Sequence, residues 1–183
     1  ECIKCGKCER VCPINNEQSS VSPIRILAAK NNNKSIIRTS SSGGLFTAIA
    51  NECIISRGGV VFGAAFDLEW ELRHIAVEEV SELSCLRGSK YLQSDVTHIF
   101  SAVEDYLKNG REVVFSGTPC QIAGLKSYLS KEYDNLLAVE IACHGVPSPK
   151  VFREYIGMCL NNRAIADIAE ISFRDKKEDW IHY

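Results

Sequence analysis

From about residue 40 onward, strand-like and helix-like segments alternate along the chain. Leu45, Phe46, Ile49 and Cys53 recur at helical spacing, and Gly58-Gly59 follows as a stop signal, so this segment predicts a helix. The apolar run VVFGAAF then predicts a buried strand. After the turn DLEWE, the segment RHIAVE is the expected hairpin partner of that strand.

The second half of this region predicts a βαβ unit. A helix over roughly Val96 to Asn109 is followed by the strand EVVFSG, the helix TPCQIAGLKSYLSKEY and the continuous apolar strand LLAVEIA. A further helix begins at Ser148-Pro149, with proline in the favoured first position, and IAEISF predicts a final strand. Such alternation is typical of an α/β domain, here with a mixed sheet.

The first residues follow a different pattern, ECIKCGKCERVCP. Cys2, Cys5, Cys8 and Cys12 have the spacing of the bacterial ferredoxin ligand run, and Pro13 follows the last of them. Zinc sites usually divide their ligands into two pairs separated by a longer loop, so the run favours a 4Fe-4S cluster over zinc. The alternative, a helix that is rich in cysteine by chance, is rare.

The fourth cysteine of such a run ligates the other cluster in two-cluster ferredoxins. Because the chain holds no second run, either Cys12 completes a single cluster or its partner motif lies upstream of Glu1. We favour the missing motif and expect the chain to be a piece of a longer protein, truncated at both ends. The expected organisation is a partial ferredoxin-type segment at 1–20, an Asn- and Ser-rich linker at 21–39 and an α/β flavin and cluster domain at 40–183.

Composition narrows the functional classes. A net charge of -2 gives no general attraction to nucleic acid, and no apolar run reaches the length of a membrane span. Nine cysteines, an odd number, are more often ligands or catalysts than disulfide partners in a reducing compartment. We therefore expect a cytoplasmic protein that binds neither nucleic acid nor membrane.

Two cysteines follow the strands of the predicted βαβ unit. Parallel strands deliver their carboxyl ends to one edge of a sheet, where α/β proteins place their ligands, so Cys120 and Cys143 could serve one site. Thr118 is the expected N-cap of the helix that carries Cys120 in its first turn. Each thiol could be a metal ligand, a nucleophile or a small buried residue, and burial is favoured for Cys53 and Cys159. His144 is interpreted as a polar rim residue, since it points away from its neighbour Cys143.

Two further segments could bind an anion. Ser40-Ser41-Ser42-Gly43-Gly44 precedes a helix and could hold a phosphate or a flavin pyrophosphate, or could simply cap the helix. The Arg174-Asp175-Lys176-Lys177 run could bind an anionic cofactor or form a solvated turn. Neither the dinucleotide fingerprint nor the P-loop motif occurs.

Taken in order, CIKCGKCERVCP, SSGGLFTAIA, SGTPCQIAGLKSYL, ACHGVPSP and SFRDKK resemble the coenzyme F-420 hydrogenase/dehydrogenase beta subunit family. The resemblance implies an iron-sulfur flavoprotein that contains FAD and 4Fe-4S clusters. It also implies that Cys120 and Cys143 match cysteines of the flavin and cluster core, with Cys85 as a further candidate. Ser42, Gly43, Gly44, Gly117 and Thr118 match the family's glycine-rich loops and are the expected cofactor-binding residues.

The expected function is that of an oxidoreductase subunit. It would pass electrons between a hydride carrier, either a deazaflavin or another two-electron partner, and iron-sulfur clusters by way of FAD. A redox partner subunit or a ferredoxin-like acceptor would complete the path. The alternatives are an electron-transfer or interaction accessory without flavin turnover and, less favoured, a thiol-dependent transferase that uses Cys120.

Overall fold

The computed structural model describes residues 3–10, 12, 15, 22–161 and 163–174. Its centre is a four-stranded sheet with the strand order β2-β1-β3-β4. The strands are β1 Val60–Phe66, β2 Leu72–Val77, β3 Val113–Gly117 and β4 Leu136–Glu140. The β1-β2 hairpin is antiparallel, whereas β1, β3 and β4 are parallel. The predicted α/β class with a mixed sheet is confirmed, as is the βαβ unit.

Six α-helices lie in the described part of the chain: α1 Lys7–Arg10, α2 Lys34–Arg38, α3 Leu45–Asn51, α4 Ile99–Lys108, α5 Pro119–Leu129 and α6 Pro149–Leu160. A π-helical turn over Glu52–Ser56 continues α3, and 3-10 turns cover Val80–Leu86 and Ile165–Asp167. The helix predicted before Gly58-Gly59 and those predicted after β2, β3 and β4 are all present. None of the helices described is both long and apolar enough to cross a bilayer.

The core has one layer on each face of the sheet, because successive side chains of a strand point to opposite faces. Val60 and Phe62 of β1 pack with Phe115 and with residues of α4 and α5. Val61 and Ala65 of β1 pack on the other face against α3 and the 3-10 turn Val80–Leu86. Burial of each large apolar side chain contributes roughly 1.5–3 kcal/mol, so these layers hold the loops at the sheet edges in place.

Two expectations from the sequence are wrong. IAEISF is not a strand, and the segment instead packs Phe173 against the rings of Phe66 and Phe152. The predicted strand LLAVEIA is present as β4, an edge strand in which Leu137 is 51% exposed. Cys159 is an exposed residue of α6 rather than a buried one.

The predicted ferredoxin-type segment lies largely outside the described residues, which exclude Cys2, Pro13 and the side chain of Cys8. In the described part, the backbone is left-handed at Lys4 and Gly6, on either side of Cys5, and α1 follows. The predicted linker contains one short helix, α2, capped by Asn33. The cluster fold and the domain boundaries stay predictions.

Candidate functional site

The carboxyl ends of β3 and β4 lie side by side. Gly117 pairs with Glu140 at the end of the ladder, and the Ile141 N–H donates to the Gly117 carbonyl at 2.9 Å. Cys120 and Cys143 each follow their strand by three residues, so the expected delivery of both cysteines to one edge of the sheet is confirmed. Cys120 is exposed, Cys143 is half-buried, and neither is in a disulfide. We call this region the carboxyl edge.

Thr118 joins β3 to α5 and contacts the Cys120 thiol. As predicted, it is the N-cap of α5, with Pro119 as the first helical residue. The Gln121 side chain folds back, and its Oε1 accepts hydrogen bonds from the Thr118 N–H at 3.0 Å and from the Thr118 hydroxyl at 3.1 Å. The Thr118 Oγ1 lies 3.2 Å from the Cys120 Sγ. The cap therefore fixes a hydroxyl beside the thiol.

The folded-back Gln121 side chain also explains why glycine occupies the position of Gly117. A Cβ at this position would lie 3.0 Å from the Phe115 ring and 3.2 Å from the Gln121 Oε1, closer than side chains normally pack. Glycine here lets the Gln121 amide return over the end of β3. Contact between Gly117 or Thr118 and a cofactor stays a prediction.

Sequence reasoning missed a buried polar chain behind Cys120. The His74 Nε2 lies 2.9 Å from the Ser116 carbonyl, which can only accept, so Nε2 carries the proton. The unprotonated Nδ1 then accepts from the Ser94 hydroxyl at 2.9 Å, and Ser94 Oγ accepts from Gln121 Nε2 at 2.8 Å. These hydrogen bonds thus connect the core residue His74 to Gln121, which belongs to the cap beside Cys120. The only signal in the sequence was that His74 is a polar residue at an inward position of β2.

His74 makes stability depend on pH. Burial lowers the pKa of His74 below its usual 6.5, because the imidazole is 4% exposed and stacks on Phe115. As the pH falls below 6.5, the unfolded chain binds a proton that the folded chain refuses, so the free energy of unfolding decreases.

We expect urea unfolding between about pH 5 and pH 8 to show this loss, about 1.4 kcal/mol for each unit by which the pKa is lowered. His74→Asn should flatten the acid side of the profile, and His144→Asn, at an exposed residue, should leave it unchanged. An equal acid slope in wild type and His74→Asn would contradict the assignment.

The serine–glycine loop, residues 40–44, is covered by the chain itself. A Cβ on Gly43 would lie 3.0 Å from the Ala29 carbonyl oxygen, and Gly44 has a left-handed φ of 74°. The Asn31 N–H donates to the Gly43 carbonyl at 2.7 Å. Glycine is therefore favoured at Gly43 by the close approach of the Ala29 carbonyl and at Gly44 by its left-handed backbone. The assignment of Ser42, Gly43 and Gly44 to a cofactor stays a prediction.

A basic loop, residues 87–90, packs beside the serine–glycine loop. The Ser89 N–H donates to the Ser41 hydroxyl, and Arg87 Nε donates to the Thr47 hydroxyl at 3.1 Å. The Lys90 Nζ donates to the Arg87 carbonyl at 2.8 Å and to the Gly88 carbonyl at 3.3 Å. Burial lowers the pKa of Lys90 to about 8, an effect that the nearby Cys85 opposes.

The remaining candidate ligands are distributed over the chain. Cys5 and Cys85 are exposed and Cys12 is half-buried, whereas Cys53 is a core residue, as expected. Among the residues that the structure describes, no three His, Cys, Asp or Glu side chains converge as a metal site. Cys2 and the side chain of Cys8 lie outside the described residues. The metal-ligand assignments of Cys2, Cys5, Cys8, Cys12, Cys120 and Cys143 stay predictions.

A half-open cavity of about 400 Å³ lies near this region. Its walls include Trp70, Phe152 and the buried Ser94, which also belongs to the polar chain behind Cys120. Phe66, the last residue of β1, stacks with Phe152 and Phe173 at the same place. The volume lies in the range of small-molecule sites, and the walls offer the aromatic faces of Trp70 and Phe152.

Comparison with known proteins identifies the chain's relatives. Residues 110–183 match the sequence model for the C terminus of the family described as "Coenzyme F420 hydrogenase/dehydrogenase, beta subunit". Over these residues, the chain is similar to that family. The resemblance found in the sequence is thereby confirmed, and the matched residues include both cysteine motifs of the carboxyl edge, GTPCQ and CHGVPSP. They also include Asp175, Lys176 and Lys177, which lie outside the described residues.

Among solved structures, the fold is similar to a chain in the xenon-derivatised F420-reducing [NiFe] hydrogenase complex from Methanosarcina barkeri. The TM-score is 0.58 and the identity 18%, over 79% of this chain and 53% of that chain. This likeness shows a shared fold, and the chain spans about half the length of that relative. A search of the curated proteins finds no match.

Proposed function

We propose that the chain is part of an iron-sulfur flavoprotein oxidoreductase subunit. The observation that carries the proposal is the position of Cys120 and Cys143 after two adjacent parallel strands, at the carboxyl edge and within the residues that match the F420 hydrogenase/dehydrogenase beta-subunit family. Both thiols are free and at least partly accessible, as ligands of an inserted cofactor must be. Open α/β sheets place their ligands at this edge.

The donor set fits iron-sulfur chemistry. Fe-S clusters are held by cysteine thiolates, and the spacing of Cys2, Cys5, Cys8 and Cys12 is that of a ferredoxin run. Left-handed backbone at Lys4 and Gly6 turns the chain sharply on both sides of Cys5. We assign these four cysteines to 4Fe-4S clusters, with Cys120 and Cys143 as ligands at the sheet. The Thr118 hydroxyl lies 3.2 Å from the Cys120 Sγ and donates to Gln121 Oε1 in the ligand-free chain. If Cys120 is a ligating thiolate, this hydroxyl would turn its proton to the sulfur, and hydrogen bonds of that kind tune reduction potentials.

FAD is the proposed second cofactor. When bound, it exchanges two electrons with a hydride carrier and single electrons with the clusters. The residues assigned to contact it are Ser42, Gly43, Gly44, Gly117 and Thr118, the last two of which lie at the carboxyl edge. Because residues 29–31 already fill the space beside Gly43, the contribution of the serine–glycine loop would come from the exposed Ser42 rather than from the glycines.

The hydride carrier and the redox partner follow from the same proposal. The Methanosarcina barkeri relative belongs to an F420-reducing hydrogenase complex, so a deazaflavin is one candidate carrier and a hydrogenase-like subunit or a ferredoxin-like protein is a candidate partner. The alternative function is an electron-transfer accessory without flavin turnover. It would bind the clusters but no flavin.

The test is a cofactor count on the full-length protein, purified without oxygen. We expect a flavin spectrum over a broad iron-sulfur shoulder, and we expect Cys120→Ser and Cys143→Ser each to lower the iron and sulfide content by about one cluster's share. Cys159→Ser is the matched control, because Cys159 is an exposed cysteine on α6, and it should retain all cofactors.

The possible outcomes separate the candidate functions. Iron without flavin would favour the accessory. Full iron and flavin in both Cys120→Ser and Cys143→Ser would remove these cysteines from the cofactor site. An activity that survives iron removal but is lost in Cys120→Ser would support the transferase.

A further inference from the structure

We propose that the basic loop, residues 87–90, together with Ser41 of the serine–glycine loop, forms a binding site for a phosphate or diphosphate group. The site is argued from charge and position. It deepens the proposed function, on which it rests to the extent that FAD carries such a group. Neither Arg87 nor Lys90 was assigned a role by the sequence motifs.

The first observation is two cations without a counter-charge. Lys90 is half-buried and, among the described residues, its Nζ donates to the neutral carbonyls of Arg87 and Gly88. Arg87 is also half-buried, and its guanidinium donates to the neutral hydroxyl of Thr47. In the described part of the chain, no carboxylate forms an ion pair with either side chain, although seven other ion pairs occur there. Buried or partly buried charges are normally paired, and a bound anion would supply the partner that these two cations lack among the described residues.

The second observation is the partly buried environment of the Lys90 ammonium and its effect on a neighbouring pKa. Lys90 is half-buried, and this burial lowers its pKa to about 8. Its charge also contributes to lowering the pKa of His74, the buried histidine of the polar chain behind Cys120. A bound anion would offset the cost of burying the Lys90 ammonium.

The third observation is the fixed geometry of the loop. Gly88 has a left-handed φ of 84°, with no atom within 4 Å of a Cβ placed there, so the backbone turns sharply into open space. The Ser89–Ser41 and Arg87–Thr47 hydrogen bonds anchor the loop on both sides. A rigid loop with two cations loses little side-chain entropy when it binds an anion.

The charge selects the class of ligand. Two positive charges are matched by a group with about two negative charges, such as a phosphate monoester or a diphosphate, whereas one carboxylate would leave an excess positive charge. Arginine in particular suits the oxygen geometry of phosphates. The same chemistry could come from FAD or from a free nucleotide, and the two sources need separate tests.

The first test measures inorganic pyrophosphate binding to the full-length protein by calorimetry. We expect Lys90→Met and Arg87→Gln each to weaken binding about 10- to 100-fold, as the loss of one charge-assisted hydrogen bond would do. Arg87→Lys should restore part of the affinity. Lys126→Met is the control, because Lys126 is an exposed lysine of α5, and it should bind as wild type does. Unfolding of each variant without ligand establishes that it is folded. Equal affinity in folded wild type and Lys90→Met would overturn the proposal.

The second test compares FAD with riboflavin, which lacks phosphate. We expect Lys90→Met to weaken FAD binding and to leave riboflavin binding unchanged. Pyrophosphate binding that depends on Lys90, in a protein that takes up no flavin, would support the anion site and contradict the flavin function. Tight FAD binding that is insensitive to Lys90 would overturn the anion site and leave the proposed function standing.

Discussion

Gly59→Ala is expected to lower the free energy of unfolding by about 3 kcal/mol or more. Gly59 precedes β1, where its N–H donates to the Cys53 carbonyl at 2.9 Å. A Cβ there would lie 2.6 Å from the Glu112 carbonyl oxygen and would also press on the Cys53 sulfur. Because the Val60 N–H donates to that same Glu112 carbonyl, the methyl group can be accommodated only by separating the start of β1 from the residue before β3.

Chemical denaturation of the two proteins measures this effect. Gly157→Ala is the matched control, since Gly157 lies in α6 with no atom within 4 Å of a Cβ, and it should raise stability by about 0.5–1 kcal/mol. If Gly59→Ala unfolded at the wild-type denaturant concentration, the packing of Gly59 between Cys53 and Glu112 would be wrong.

Local signals predicted most of the fold. The stop at Gly58-Gly59, the hairpin of β1 and β2 and the βαβ unit from β3 to β4 each depend on residues close together in the sequence. The strand prediction for IAEISF failed because strand propensity does not show whether a segment joins a sheet, and here Phe173 packs against the rings of Phe66 and Phe152 instead. The exposure of β4 could not be predicted either, since apolar side chains do not reveal whether a strand is central or at an edge.

The candidate site was predictable where a motif coincides with a strand end. Cys120 and Cys143 could be placed at one edge because each follows a strand of the same βαβ unit. His74, Ser94 and Gln121 could not, since their contacts span 20 to 42 residues and no spacing rule links them. In the serine–glycine loop, the motif suggested a different role. Gly43 and Gly44 are typical of a phosphate-binding loop, but in the structure they allow residues 29–31 of the same chain to pack beside them.

Lys90→Met is the substitution expected to stabilise the ligand-free protein most, by raising its free energy of unfolding. The pKa of Lys90 falls from 10.5 to about 8, which corresponds to a penalty of about 3 kcal/mol for keeping the ammonium in the folded state. Methionine has no charge to desolvate and fills a similar volume. Loss of the hydrogen bonds to the Arg87 and Gly88 carbonyls offsets part of the gain, so we expect about 2 kcal/mol at pH 7.

The pH profile distinguishes this cause from a general packing effect. Between about pH 8 and 10.5, the unfolded chain holds a proton that folded Lys90 releases, so wild-type stability should rise with pH across this window, and below pH 8 the full penalty remains. Lys90→Met should lack that rise, which unfolding measurements at pH 7 and pH 10 would detect, with Lys126→Met as the control. If Lys90→Met is less stable than wild type at pH 7, the free-energy penalty assigned to the Lys90 ammonium is wrong. A residue that lowers the stability of the ligand-free protein in this way is typical of a functional site, and the proposed anion would supply the charge partner that stabilises Lys90.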